Sequence, residues 1–488
     1  MKILTQAQIK AADQYTIEHE PIASIDLMER ASTAIALCIS KNIDKRLPLL
    51  FLVGKGNNGG DGLAVARILH VKGYRCSVYP AFGKQPLSPD CELNLNRLPD
   101  GVQMLDSIDN ISTETIIVDA LLGTGVSGEL KEPARSLIVK INKLGNTKIS
   151  IDLPSGMKTE FGNAEQTILK ADITLTLEFP KLAMLLPESG EMAGTIAVVP
   201  IGLNKKYMEQ ADTKYHYIDP DLITNILKQR RKFAHKNVYG HALLIAGSRG
   251  MTGAAILAAG ACLRSGCGLL TVHVPDCERL ALHVSCPSAI LSLDEAETFS
   301  APPQNLDKYS ATGLGCGIGT GSKTVTAVAK LLKSTKIPMV IDADALNIIA
   351  ENKELQTLVP PNSILTPHLG ELKRLIGQWK SEEDKEMKVA KLSAKLKSTI
   401  VVKGAHTAIY MPDGNIYFNS TGNAGMAKAG SGDVLTGLIT GLLARGYSPA
   451  EAAISGVYFH GLAGDRAKTK HGEESMNSLD IVNQLAIS

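Results

Sequence analysis

Apolar runs of strand length alternate with helical patterns along most of this 488-residue chain, in two successive series. In the first half, helical patterns such as 62–73 and 132–144 separate several of the runs, and residues 5–40 have the pattern of one or two amphipathic helices. The runs lie at 47–53, 74–80, 114–119, 147–152, 171–177 and 194–200. Strands that alternate with helices form a parallel sheet covered on both faces. The first half therefore predicts a doubly wound α/β fold.

The second series begins at GHALLIAGS (240–248). Its strands are expected near 269–274, 309–315, 337–342, 363–366, 398–403 and 407–411, and its helices at 252–266, 323–334, 381–397, 431–446 and 448–463. Residues 205–235 between the series are polar and irregular, so we place a boundary near 210–225. Because the series share no motif, we predict two different domains, at 1–215 and 225–488.

Composition narrows the class of protein. The net charge of +2 gives no general attraction to nucleic acid or membranes, and an aromatic content of 4% argues against a base-stacking protein. The basic run KQRRK (228–232) is then a nucleic-acid patch or, more commonly, a solvated surface. The eight cysteines form no CxxC pair, and neither a signal peptide nor a membrane span is visible. We expect a cytoplasmic protein with free thiols.

The stretch VGKGNNGGDG (53–62) joins an apolar run to a helical pattern, and five of its ten residues are glycine. Glycine permits positive φ and removes Cβ atoms from the path of a ligand. One interpretation is a flexible turn between a strand and a helix. The other is a loop whose N–H groups bind an anion at a helix N-terminus. A plain turn needs one or two glycines, so the density favours the ligand loop, although neither standard phosphate-loop motif is present.

Two further segments place acidic residues at strand ends. VDALLGTG (118–125) carries Asp119, and SIDLPSG (150–156) carries Asp152 and Ser155. Each aspartate alone is equally well explained as a turn cap. Parallel sheets bind ligands at the carboxyl ends of their strands, so three glycine-bearing loops at one edge predict a pocket. Asn58, Asp119 and Ser155 would offer oxygen ligands to a cation.

GNNGGDG, VDALLGTGVSG and IDLPSG, in this order and spacing, resemble the NAD(P)H-hydrate epimerase domain over residues 1–215. The resemblance implies a Rossmann-like fold that binds K⁺ through Asn58, Asp119 and Ser155. It implies that the hydrated nucleotide, NADHX or NADPHX, is contacted by Asn57, Asn58, Gly59, Gly60, Asp61, Gly123, Thr124, Gly125, Val126, Ser127, Gly128, Glu129 and Asp152. Such an isomerase interconverts the R and S hydrates at ring carbon 6, and we assign Asp152 as its acid and base.

In the second half, NAGMAKAGSGDVLTGLITG (423–441) runs from a glycine-rich loop into an amphipathic helix. Ser431 is near the N-cap and Asp433 is in the first turn. The N–H groups of 430–433 would face developing negative charge, and Asp433 would take a proton from a hydroxyl, which is an arrangement for phosphoryl transfer. A capped helix with an ordinary aspartate is the alternative. Lys403, Asp342 and Asp344 also follow strands, and Glu371 is a candidate for acting on Mg²⁺ through water.

GSRGMTGAA (247–255), GLGCGIGT (313–320), DADALN, TPHLGE, VVKGAHT and NAGMAKAGSGD together resemble the ADP/ATP-dependent NAD(P)H-hydrate dehydratases of the ribokinase-like superfamily, over 225–488. The resemblance implies Mg²⁺ with ADP or ATP, and substrate contacts from Ala254, Gly317, His368 and Asp433. Its implied nucleotide contacts are Lys403, Gly404, Ala405, His406, Thr407 and Gly432. Cys316 stands where this family usually has proline, and we expect it to be remote from the chemistry.

The two resemblances predict a bifunctional isomerase and lyase that repairs hydrated NADH and NADPH. They imply a homo-oligomer, and no nucleic-acid or membrane partner is expected. One alternative is a kinase for a small hydroxymethyl or sugar substrate, which the histidine at 368 disfavours because sugar kinases tend to carry asparagine there. Another is an RNA-binding scaffold with an epimerase-like domain. The preference for ADP or ATP, and for NADHX or NADPHX, stays open.

Overall fold

The computed structural model describes residues 1–83, 85–126 and 128–487. The chain folds into two separate units, one of Lys2–Tyr215 and one of Met1 with His216–Ser488. The residue limits given above for the two domains stay predictions. In the described part of the chain, no helix is both long enough and apolar enough to cross a membrane.

The first unit is built around a parallel sheet with the strand order β3-β2-β1-β4-β5-β6-β7. Its strands are β1 (Leu49–Val53), β2 (Cys76–Pro80), β3 (Gln103–Met104), β4 (Ile116–Ala120), β5 (Lys148–Ile151), β6 (Ile173–Leu177) and β7 (Thr195–Val199). Its helices are α1 (Gln6–His19), α2 (Ser24–Asn42), α3 (Asn57–Val71), α4 (Pro89–Asn96), α5 (Ala134–Asn142) and α6 (Lys205–Gln210). β1 and β4 are buried throughout, as expected for central strands covered on both faces.

The glycines of GNNGGDG lie largely inside a helix, which corrects the loop expected before residue 62. Helix α3 begins at Asn57, and none of its glycines has positive φ. A Cβ at Gly59 would lie 1.9 Å from the carbonyl oxygen of Gly54, and one at Gly62 would lie 2.5 Å from the Cβ of Ala120. These glycines therefore allow α3 to pack closely on β1 and β4.

The second unit contains a ten-stranded sheet of order β11-β10-β9-β12-β13-β14-β15-β16-β17-β8. Its strands are β8 (Tyr215–Tyr217), β9 (His241–Ile245), β10 (Leu269–Pro275), β11 (Ile290–Asp294), β12 (Ala311–Leu314), β13 (Met339–Ile341), β14 (Ile364–Leu365), β15 (Thr399–Val402), β16 (Ala408–Tyr410) and β17 (Ile416–Phe418). The strands from β11 to β15 pair in parallel, whereas β15, β16 and β17 form an antiparallel meander.

Its helices are α7 (Pro220–Ile226), α8 (Thr252–Arg264), α9 (Arg279–Ser285), α10 (Ser322–Ser334), α11 (Ala343–Glu351), α12 (Lys353–Gln356), α13 (Leu369–Ile376), α14 (Glu382–Leu396), α15 (Ser431–Ala444), α16 (Pro449–His471) and α17 (Ser478–Gln484). The segment 205–235 is less irregular than expected, because it contains α6, β8 and α7. Helix α15 is buried from Val434 to Ala444, and a Cβ at Gly437 would lie 1.9 Å from the Ala258 carbonyl oxygen of α8. This close packing fixes the first turn of α15.

Candidate active sites

Asp119, at the end of β4, is fully buried and surrounded by hydrogen-bond donors. Its Oδ2 accepts bonds from the Ser150 hydroxyl and the Ser155 backbone N–H, both at 2.9 Å. Its Oδ1 accepts bonds from the Ser155 hydroxyl (2.5 Å) and the Leu121 N–H (3.2 Å). Burial raises the pKa of Asp119, and the bonds from Ser155, Ser150 and Leu121 oppose that rise. The carboxyl thereby ties β4, β5 and the loop after β5 together.

The loop after β4 also joins the start of α3. The Asn58 side-chain amide donates to the Leu122 carbonyl oxygen (3.0 Å), and the Ser155 hydroxyl lies 3.2 Å from the same oxygen. Asn58, Asp119 and Ser155 are thus brought together at the carboxyl edge of the sheet, as the sequence predicts. They provide amide, carbonyl, hydroxyl and carboxylate oxygens, the donor type that hard cations prefer.

Asp152, after β5, forms an ion pair with Lys181, a residue that the sequence analysis missed. The side chain of Lys181 is only 2% exposed, and its ammonium group also donates to the Thr176 hydroxyl (3.0 Å) and the Leu177 carbonyl oxygen (3.2 Å). Asp152 has φ of 66°, a left-handed conformation that a non-glycine residue adopts at some cost. The bond from its N–H to the Leu175 carbonyl oxygen (2.8 Å) and the Lys181 ion pair hold it there.

Asp152 lies close enough to two further carboxyls, Asp13 and Asp61, to change their pKa values. Burial and the Asp152 carboxylate raise the pKa of Asp13 to about 6, while Lys181 lowers it. Burial, followed by the charge of Asp152, raises the pKa of Asp61 well above its usual value, against a hydrogen bond from Ser32. The Lys181 ammonium group therefore pairs with Asp152 and also acts on Asp13. Asp13 has no sequence signal beyond its place in an amphipathic helix.

The remaining residues predicted to contact the hydrated nucleotide border the same edge. Asn57 is exposed at the start of α3, whereas Gly59 and Gly60 are buried in its first turn. The loop after β4 contains Gly123, Thr124, Gly125, Val126, Gly128 and Glu129. Gln6 of α1 fixes this loop through a 2.5 Å bond to the Thr124 carbonyl oxygen. Ser127, also predicted, lies outside the described residues.

In the second unit, Lys403 points towards the first turn of α15. A Cβ at Gly432 would lie 3.3 Å from the Lys403 ammonium nitrogen. That nitrogen donates to Asp342 Oδ1 over 2.8 Å and lies 3.8 Å from Glu371 Oε2. Although burial lowers the pKa of Lys403, Asp342 and Glu371 raise it above its usual value. A fixed positive charge therefore lies beside the unpaired N–H groups at the start of α15.

Asp433 is in that first turn, and Cys316 contacts it directly. Burial raises the pKa of Asp433 to about 6, and a hydrogen bond from the buried Cys316 thiol counteracts the rise. The charges of Asp342 and Asp344 also raise this pKa, and Lys403 lowers it. Cys316, which we expected to be remote from the chemistry, thus lies beside the carboxyl that the sequence predicts to be the base. A partly buried carboxyl that ionises near neutral pH is suited to general-base catalysis.

His368 caps helix α13. Its Nδ1 accepts bonds from the N–H groups of Gly370 (2.9 Å) and Glu371 (3.3 Å), and its side chain remains 55% exposed. Nε2 lies 3.3 Å from Glu371 Oε1, and Glu371 Oε2 accepts the His368 backbone N–H over 2.8 Å. Glu371 is thus engaged by His368 and Lys403, so a water-mediated contact to Mg²⁺ would compete with these partners.

The other predicted residues lie in the first turn of α8 and in two loops. A Cβ at Gly317 would lie 3.2 Å from the Cβ of Ala254, and the Gly247 N–H donates to the Cys316 carbonyl oxygen (2.7 Å). The strand end at β15 leads into the loop of Gly404, Ala405, His406 and Thr407. This loop is tied internally by the bond from the Gly404 N–H to the Thr407 hydroxyl (3.3 Å). Within the described residues, no group of three or more His, Cys, Asp or Glu side chains is arranged to hold a metal ion.

Comparison with known proteins adds independent information. A family profile described as NAD(P)H-hydrate dehydratase matches residues 242–486, and one described as YjeF-related protein N-terminus matches residues 24–183. The chain is 33% identical over 511 residues to the bifunctional NAD(P)H-hydrate repair enzyme of Moorella thermoacetica, covering 99% of this chain and 96% of that protein. It is also 33% identical over 503 residues to the enzyme of that name from Coxiella burnetii, covering 100% and 99%.

Among solved structures, a ribokinase-like superfamily protein from Enterococcus faecalis V583 is similar to the second half. It is 28% identical with a TM-score of 0.50, over 56% of this chain and 95% of that one. Together with the strand order of the first sheet, this similarity confirms the predicted fold class, a Rossmann-like doubly wound sheet followed by a ribokinase-like α/β unit.

Proposed function

Because the chain belongs to the family of bifunctional NAD(P)H-hydrate repair enzymes, we propose that it restores hydrated NADH and NADPH in two steps. The first unit interconverts the R and S hydrates, and the second removes water from the S hydrate with ADP or ATP. The observation that supports the second step most strongly is Asp433, with its pKa near 6, at a helix start beside the ammonium group of Lys403.

The dehydration would begin with phosphoryl transfer to a hydroxyl group, the step that kinases catalyse. Asp433 takes the proton from the hydroxyl on ring carbon 6, and the hydroxyl oxygen attacks the terminal phosphorus of ADP or ATP. The bond between that phosphorus and the bridging oxygen breaks and releases AMP or ADP. The nicotinamide ring nitrogen then donates its electron pair as the carbon–oxygen bond breaks, and inorganic phosphate leaves. The iminium ion that remains loses the proton of ring carbon 5 to water or to the departing phosphate, which forms the double bond between ring carbons 5 and 6. The product is NADH or NADPH, and no external oxidant or reductant is required.

The nucleotide would lie on the loops after β15 and before α15. Lys403 would neutralise its phosphates, and the N–H groups near Gly432 would stabilise charge that develops on the transferred phosphate. The loop of Gly404, Ala405, His406 and Thr407 would contact the rest of the nucleotide. Mg²⁺ usually binds through substrate phosphates and few protein ligands, which is compatible with the lack of a dedicated acidic cluster among the described residues.

For the first unit, we propose that Asp152 handles the proton as hydroxide leaves ring carbon 6 and returns to the opposite face. The ring nitrogen provides the driving force, so one positioned acid and base is sufficient. Lys181 would keep Asp152 oriented, because this buried ammonium group fixes one of its carboxylate oxygens.

Asn58, Asp119 and Ser155 fit a K⁺ ion in one respect and require a rearrangement in another. The Asp119 carboxylate, the Ser155 hydroxyl and the Leu122 carbonyl oxygen converge, which favours a hard cation. The Asn58 amide nitrogen now faces that carbonyl oxygen, so the amide would rotate to offer its oxygen. A bound K⁺ would supply positive charge near the phosphates of the substrate.

The test is the recovery of NADPH absorbance from a mixture of R and S hydrates with Mg²⁺, K⁺ and either ADP or ATP. Wild type should recover the whole mixture after correction for uncatalysed exchange. Asp433→Asn should recover none, and Asp152→Asn should stop once the S fraction is consumed, so each variant is the control for the other unit. Phosphorylation of a sugar or hydroxymethyl compound without any hydrate recovery would overturn the proposal in favour of the kinase alternative.

A further inference from the structure

A cavity of about 370 Å³ lies in the second unit, at the ends of helices α8 and α15 opposite to Ala254 and Asp433. Lys228, Arg230, Arg264 and Arg445 contribute four cations to its lining. Two of them belong to the basic run KQRRK, and none of the four takes part in the sites described above. The volume is in the range of cavities that hold small ligands.

Two tyrosine rings orient two of these cations, Lys228 and Arg230. The guanidinium carbon of Arg230 lies 4.0 Å from the centre of the Tyr239 ring, and the Lys228 ammonium nitrogen lies 4.8 Å from the centre of the Tyr447 ring. Both tyrosines are buried, and their hydroxyls accept the backbone N–H groups of Arg231 (2.9 Å) and Lys228 (3.0 Å). These two positive groups are therefore oriented before any ligand binds.

Two guanidinium groups converge above Gly266. The Nη1 atoms of Arg230 and Arg445 lie 2.9 and 3.3 Å from the position that a Cβ at Gly266 would occupy. Any larger residue there would fill the space between the two arginines. The glycine thus keeps open a gap with a guanidinium nitrogen on two sides.

Capping of helix ends explains only part of this arrangement. Arg230 Nη1 donates to the Gly266 carbonyl oxygen (3.0 Å), and Arg445 donates to the carbonyl oxygens of Ser265 (3.4 Å) and Lys228 (2.9 Å). A guanidinium group has five N–H donors, so most of them stay available. The Arg264 side chain makes no hydrogen bond or ion pair in the described part of the chain.

The local charge is strongly positive. Lys228 is paired with the Glu451 carboxylate, which lies 3.5 Å from its ammonium nitrogen. Arg230, Arg264 and Arg445 have no acidic partner among the described residues. The carboxyl ends of α8 and α15 together supply only about one negative charge. An anion with two or more charges would balance the remainder, and arginine pairs bind phosphate oxygens in a bidentate manner.

We propose that this cavity is a binding site for a small diphosphate-type anion, separate from the nucleotide loops at the other end of the same helices. The proposal concerns binding alone, so it stands or falls independently of the proposed repair reaction.

The test is calorimetric titration of the full chain with inorganic pyrophosphate at constant low ionic strength. One equivalent per chain of a non-hydrolysable ATP analogue with Mg²⁺ occupies the nucleotide loops beforehand, which leaves no excess triphosphate to fill the cavity. The variants are Arg264→Gln and the double variant Arg230→Gln with Arg264→Gln. Lys333→Gln, which removes an exposed charge from α10, is the matched control.

Wild type and the Lys333→Gln control should bind one pyrophosphate with equal affinity. Arg264→Gln should weaken the affinity by about tenfold, and the double variant should lose detectable binding. The Arg264 side chain is exposed and makes no hydrogen bond or ion pair in the described chain, so Arg264→Gln remains informative even if Arg230→Gln disturbs folding. Equal binding by wild type and Arg264→Gln, or no binding by wild type, would overturn the proposal.

Discussion

The ionisation of Asp433 provides the sharpest test of the proposed dehydration, because Cys316 offers a way to shift it. Burial raises the pKa of Asp433 from 3.8 to about 6, and the Cys316 thiol lowers it through a hydrogen bond to the ionised carboxylate. A general base acts only when it is ionised. The rate of dehydration should therefore fall as the pH decreases through about 6.

The expected size of the effect follows from this value. One unit below its pKa a carboxyl is about one-tenth ionised, so kcat/KM at about pH 5 should be about tenfold below its plateau. An aspartate with an ordinary pKa would still be about nine-tenths ionised there, and the rate would hardly change. The two cases differ by far more than the error of a rate measurement.

Replacing Cys316 identifies the titrating group. Cys316→Ala removes the donor that favours the ionised form of Asp433. The acidic side of the pH–rate profile should therefore move to higher pH by roughly half a unit to one unit. Cys316→Ser keeps a hydroxyl donor and should move it less. The phosphates of the nucleotide ionise identically in every variant, so a difference between variants reports on the protein.

The assay is the initial rate of NADPH formation from purified S hydrate with saturating ATP and Mg²⁺, measured across the acidic and neutral range. Circular dichroism at each pH would exclude unfolding as the cause of any loss. If Cys316→Ala and wild type lose activity at the same pH, the reasoning is refuted. A constant wild-type rate throughout this range would equally contradict the assignment of Asp433 as the base.

Two further predictions concern the first unit. Lys181→Met should lower its free energy of unfolding by about 3–5 kcal/mol in calorimetry, because it leaves Asp152 unpaired among buried carboxyls, and adding Asp152→Asn should restore part of the loss. An unchanged transition would show that the ion pair is absent in solution. Gly62→Ala should cost about 1–3 kcal/mol by overpacking against Ala120. Ala120→Gly in the same chain should recover part of that cost if the contact is direct.

The central strands could be predicted from sequence because both faces of a parallel sheet are covered. β1, for example, is the uninterrupted apolar run LLFLV. β11 was missed because it lies at the edge of its sheet, where its exposed positions break that pattern. β8 was missed because three residues are too few to show any period, and its pairing with a distant strand decides its structure.

Some residues of the candidate sites could be predicted from the sequence for a similar reason. Asp119 and Asp152 follow apolar runs, so the rule that ligands bind at the carboxyl ends of strands was enough to find them. Lys181 follows β6 without any recognisable motif, and only folding brings it to Asp152. The glycines of GNNGGDG were placed in a loop although several lie inside α3, because sequence does not distinguish a glycine needed for positive φ from one needed for close packing.

The partners of four buried or partly buried carboxyls suggest how their roles divide. Asp119 accepts neutral donors alone, whereas Asp152 and Asp342 each pair with a lysine ammonium group. Those ion pairs hold each side chain in place. Asp433 has a weak thiol donor and the more distant charge of Lys403, so burial dominates and its pKa rises to about 6. A carboxyl with so little stabilisation of its ionised form is the one best able to accept a proton, which is why we assign the base of the second unit to Asp433 and positioning to Asp342.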